Sequence, residues 1–210
     1  DVQDVIVVFG EEVLVGSGAD AGCWILVAGC QNRTCGVICA QFDALVLKQR
    51  ETIVKDQMDQ IYTKNGGEFL NASTSEDWTV YFVRVPSNRL ELWAWLESDR
   101  LQNPVFREFY SERDVITEER RMSENSPGFF FQEQLNATFY AASPYSWEVL
   151  GWMSDISRVT KQEMIEYREK YYRPDNATLV LAGDVDEKTL MPLITKYFGA
   201  IKSRGPSPRV

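Results

Sequence analysis

The sequence predicts an α+β domain, on three observations. Stretches with the β-branched and aromatic content of strands alternate with stretches of helical period along the chain. Caps, glycines and prolines separate them. The 210 residues are 44% hydrophobic and 25% charged, which is globular material with enough apolar mass for one large domain or two small ones.

Taken in order, 5–15 (VIVVFGEEVLV) and 23–29 (CWILVAG) read as strands. Residues 36–48 are apolar enough for a buried helix, and 53–64 (IVKDQMDQIYTK) are amphipathic. "NGG" at 65–67 stops that helix through residues tolerant of positive φ. The run "EFLNASTSEDWTVYFVRV" reads as a strand or hairpin closed by Pro86, and 88–101 as a helix with Asn88 as its cap candidate. Another helix follows Pro104, "NSPGFFF" breaks it, and 129–142 form the next. "SPYSWEVLGW" is loop. Residues 160–172 are helix, with Thr160 as cap and Glu163 completing a capping box. "ATLVLAG" is a strand, "DVDEKTLMPLITKYFG" a helix capped by Asp184 or Asp186, and the tail "KSRGPSPRV" has linker composition.

Within the helix after Pro104, Val105, Phe109, Glu112, Ile116, Glu119 and Met122 follow one another at steps of four, three, four, three and three. That is the spacing of an apolar face with two carboxylates set into it. A buried carboxylate costs several kcal/mol unless a cation, metal or donor set meets it, so Glu112 and Glu119 are candidates for a site.

Several function classes are excluded. A net charge of −9 and a pI near 4.7 argue against a nucleic-acid partner, which needs a basic face. No apolar stretch approaches the roughly 18 residues of a membrane span, and none reads as a signal peptide. The chain contains no histidine, so no mechanism within it uses an imidazole. Cys23, Cys30, Cys35 and Cys39 crowd together without a C-x-x-C pair, which favours buried thiols over a structural metal. The N-x-[ST] sequons at Asn32, Asn71, Asn136 and Asn176 are weak signs of secretion. "ELWAWLESD" and "YSWEVLGWM" read as packing.

The runs "GGEFLNASTSEDWTVYF", "LESDRLQNPVF", "ERDVITEER", "SPYSWEVLGW", "YYRPDNATLVLAGDVD" and "KYFGAI" carry a resemblance. From about residue 61 to 201, roughly two-thirds of the chain, the sequence is similar to the N-terminal domain of the pitrilysin/insulinase metallopeptidases. Mitochondrial processing peptidase and the core proteins of the cytochrome bc1 complex belong to that group. The resemblance implies a two-layer α+β sandwich, a mixed sheet backed by helices, over residues 1–202, with 1–50 atypical. Residues 203–210 would be a linker toward a second such domain, absent here.

Active members carry an inverted motif, H-x-x-E-H, whose histidines bind zinc and whose glutamate is the general base. A later glutamate is the third ligand, which by resemblance is Glu119, with Glu112 supporting the site. Counting back without gaps from "KQRETIVKDQMDQ", which resembles the family's F-K-G-T stretch, the motif falls on "AQFDA". Ala40 and Ala44 replace the histidines and Asp43 the glutamate. A register one residue later, with Gln41, Ala44 and Leu45, fits worse. This chain as written is therefore expected to hold no cofactor: its carboxylates suit a weakly held hard cation, not tetrahedral zinc. One explanation is a non-catalytic subunit beside a catalytic one. Another is that residues 1–50 misrepresent the native protein, since a one-base frame shift across 29–44 permits histidines at positions 40 and 44, though no glutamate at 43. A third is a structural scaffold like the respiratory core proteins.

In the family, the strand around N-A-x-T-S is an edge that accepts substrate as an added strand. Here it covers Asn71, Ala72 and Ser73 through Ser75, with Asn71 the best candidate for a side-chain contact to an extended peptide. The implied partners are that peptide and a second family domain or catalytic subunit.

Overall fold

The computed structural model describes residues 4–12 as backbone, and 41, 44, 45, 47, 48 and 51–203. The strand expected over 23–29, the cysteines, Ala40, Asp43 and the tail from 204 lie outside the described residues. The chain divides into two compact units, one of residues 1–15, 56–105 and 165–210, the other of residues 16–55 and 106–164.

The first unit is built on a sheet. β1 (Asp4–Glu12), β2 (Glu68–Thr74), β3 (Trp78–Pro86) and β4 (Ala177–Gly183) lie in the order β2-β3-β1-β4. Every described pairing is antiparallel, so the mixed sheet implied by the resemblance is not seen among these strands. β1 pairs with both β3 and β4, Val7 lying opposite Val83 on one side and Leu181 on the other. That central place suits a strand rich in β-branched residues.

α1 (Gln57–Lys64) precedes β2 and stops at the "NGG" turn, where Gly66 adopts φ 81°. A Cβ on Gly67 would stand 2.9 Å from the Tyr62 Cβ, so the turn folds tightly under α1. α2 (Leu90–Gln102) follows β3 through a 3₁₀ turn, Ser87–Arg89, which takes in the expected cap Asn88; Arg89 holds the cap position without a side-chain bond.

Trp93, Ala94, Glu97, Ser98 and Leu101 of α2 are buried at helical spacing, while Trp95 faces water. With Tyr62, Val83 and Val85, Trp93 and Ala94 form the core cluster. Leu179 and Leu181 of β4 and Leu193, Ile194, Tyr197 and Phe198 of α7 (Glu187–Phe198) pack against it. Helices on a sheet face give the two-layer α+β arrangement. Asp186 occupies the α7 cap position, but its side chain makes no capping bond, so the side-chain capping expected of Asp186 does not form.

The second unit is helical in its described part. It contains α3 (Phe109–Glu124), α4 (Phe129–Phe139), α5 (Met153–Arg158) and the start of α6 (Lys161–Tyr171). The α6 capping box forms as expected. Glu163 N donates to Thr160 Oγ1 at 3.2 Å, and Thr160 N donates to Glu163 Oε2 at 2.7 Å. Of the stretch 36–48, where a buried helix is expected, the described residues Gln41, Ala44, Leu45, Leu47 and Lys48 are helical but exposed, and the rest lies outside the described residues.

Candidate functional site

Glu112 and Glu119 both lie on α3, two turns apart. Neither is buried, which corrects the reading of an apolar seam around them: Ile116 is exposed and Met122 is 72% exposed. Val105 precedes the helix and is exposed as well. The inward face runs through Phe109, Arg113, Thr117 and Arg120, which are buried or half-buried. Beyond the shared Phe109 that face is displaced by one residue, about 100° of rotation, from the seam read in the sequence.

The reason is visible in Arg120. It is 3% exposed, and its guanidinium donates to Glu133 on α4, to Glu124 at 2.9 Å and to the Gly151 carbonyl at 3.1 Å. The Phe129 ring lies 4.6 Å beneath it. Arg113 donates to the Val159 carbonyl, and Arg121 pairs with Glu118. The helix thus turns an arginine inward to meet a buried glutamate and leaves Glu112 and Glu119 in water, with no described side chain bonded to either carboxylate.

A carboxylate in an apolar face does meet its partner elsewhere. Glu97 of α2 is 7% exposed, accepts from Tyr62 Oη at 2.8 Å and from Arg100 Nε at 2.8 Å. Burial, with Glu97 alongside, pushes the Tyr62 phenol up from its ordinary pKa. Arg100 stacks over Tyr81 at 4.2 Å, and the Tyr81 and Tyr172 hydroxyls are 2.6 Å apart. The sequence reading passed over Glu97 and Glu133, although the arginine three residues after Glu97 was a readable signal.

Of the inverted-motif positions, Ala44 is helical and exposed, while Ala40 and Asp43 lie outside the described residues. Among the described residues, no three of His, Cys, Asp and Glu gather as a metal cluster would.

Asn71, Ala72 and Ser73 lie on β2, at one end of the described sheet order and bonded to β3 alone. The ladder shifts register between Glu68 and Asn71, where Phe69 adopts φ 56°. Beyond that bulge, Asn71 pairs with Phe82, Ala72 with Tyr81, Ser73 with Val80 and Thr74 with Thr79. Ser75 N donates to the Trp78 carbonyl at 2.8 Å, closing the hairpin. Because antiparallel partners alternate, Ser73 turns its peptide groups toward β3, while Ala72 and Thr74 turn theirs outward. Asn71 is exposed, and its Oδ1 accepts from Ala72 N at 2.8 Å.

Two family models match. Residues 42–151 match the insulinase family, peptidase family M16, and residues 158–210 match the M16 inactive domain. A zinc protease PqqE of Helicobacter pylori is 33% identical over 181 residues, 83% of this chain and 40% of the relative. The mitochondrial-processing peptidase subunit beta of Neurospora crassa is 31% identical over 152 residues, 71% of this chain and 32% of that one. The crystal structure of a protease from Helicobacter pylori superposes with a TM-score of 0.73 at 26% identity, over 98% of this chain and 47% of that one. The chain thus spans less than half the length of these relatives.

Proposed function

Since the chain belongs to the insulinase family, peptidase family M16, we propose that it presents the β2 edge to an extended peptide and does not itself cleave it. The carrying observation is the outward backbone of Ala72 and Thr74 on a strand that, among the described residues, pairs with β3 alone. An added strand gains main-chain hydrogen bonds there with little regard to side chains, which suits a subunit that holds varied substrates.

Zinc proteases among the relatives imply zinc in the family. The residues here do not fit it. The chain has no histidine, Ala44 offers no donor, and Glu119 alone cannot organise a tetrahedral site. Catalysis would then fall to a partner subunit, and a second family domain would complete the groove.

The test is to titrate a capped, fluorescently labelled peptide of alternating threonine and valine against the full chain and against Thr74→Pro. Proline removes an outward N–H and leaves the backbone ladder to β3 in place, at the loss of the Thr79–Thr74 hydroxyl bond at 3.4 Å. Binding by the parent, loss in Thr74→Pro, an intact peptide afterwards and no stoichiometric zinc are expected. About one zinc per chain with chelator-sensitive cleavage would overturn the non-catalytic part. No binding at all would favour a scaffold role like that of the respiratory core proteins.

A second reading has one observation in its favour: α3 leaves Val115, Ile116 and Met122 exposed beside Glu112 and Glu119, a surface fit for another helix. A different frame across 29–44 that supplied histidines at positions 40 and 44 would give this reading its zinc ligands. The coding DNA decides it.

A further inference from the structure

We propose that Asn71 is a latch on the β2 edge, closing Ala72 N–H until a peptide displaces it; the inference rests on the edge-binding reading above. The edge is short. The Phe69 bulge breaks the ladder before Asn71, and the hairpin closes it at Ser75 and Trp78. Within the regular ladder from Asn71 to Ser75, Ala72 and Thr74 direct N–H and C=O groups outward, so an incoming strand finds two donors and two acceptors there. One of the two donors is already taken, since Asn71 Oδ1 accepts from Ala72 N at 2.8 Å.

Open edges invite pairing with any exposed strand, and a side chain that satisfies an outward N–H blunts that hazard at small cost. Asn71 therefore competes with the peptide carbonyl for the same proton. The bond is local and solvent-exposed, so displacement is easy, and it filters out ligands that cannot supply a carbonyl there. This gives Asn71 the opposite sign from a residue that grips the peptide.

The experiment measures affinity of the full chain for the capped threonine–valine peptide in Asn71→Ala, Asn71→Asp and Thr74→Pro. Alanine removes the competing acceptor and is expected to raise affinity several-fold. Aspartate supplies a stronger, charged acceptor and is expected to lower it several-fold. Thr74→Pro reports on the edge itself. Lost binding in Thr74→Pro, with Asn71→Ala unchanged or weakened, would overturn the latch and leave the edge standing. Unchanged binding in Thr74→Pro would overturn the edge reading, and the latch with it.

Discussion

α2 and α3 solve the same problem in opposite ways. Each carries glutamates at positions that the spacing of its apolar residues marks as a face. On α2 the marked face is the buried one, and Glu97 meets Tyr62 and Arg100 there. On α3 the buried face is displaced by one residue, so Arg120 goes in and Glu112 and Glu119 stay out. α2 lies against a sheet whose Val83 and Val85 demand apolar cover. The partner of α3 on α4 is a glutamate, and Glu133 demands a cation. Spacing identifies that a helix has a face; the opposing element decides which neighbouring row becomes it.

The largest way to break that comparison is Arg120→Ala. It leaves Glu133, 4% exposed, without its guanidinium, and is expected to cost about 3–5 kcal/mol in urea unfolding. Arg120→Met with Glu133→Leu should recover part of that loss, because Glu133 no longer needs a cation, while Glu124 and the Gly151 carbonyl still lose their bonds to Arg120. Glu97→Gln keeps the shape but weakens the bonds to Arg100 and Tyr62, for about 2 kcal/mol. Thr160→Ala removes half of the α6 capping box and should cost about 1 kcal/mol. Glu119→Gln should change stability by less than about 0.5 kcal/mol, because its carboxylate is exposed. A cost for Glu119→Gln equal to that of Glu97→Gln would erase the distinction between the two helices.

Local signals were readable where local physics sets the outcome. The "NGG" stop works through Gly66 at positive φ, and the Thr160–Glu163 box forms between residues three apart. The hairpin ending at Pro86 and the strand "ATLVLAG" follow from β-branched content and turn residues. The buried ion pair joining α3 to α4 was not readable, because its partners stand thirteen residues apart on separate helices. The Asn71–Ala72 bond was missed for another reason: sequence shows a polar residue at an edge, but not which neighbouring donor it takes. The rotation of α3 by one residue followed from the first of these gaps.

If the β2 edge receives an extended chain, amide hydrogen exchange at Thr74 registers it. Its N–H points away from β3, so in the free protein it should exchange quickly. Saturating capped threonine–valine peptide should slow it by tenfold or more, with Ser73, already bonded within the hairpin, much less affected. Exchange at Thr74 that stays fast while the peptide is demonstrably bound would place the ligand away from the β2 edge.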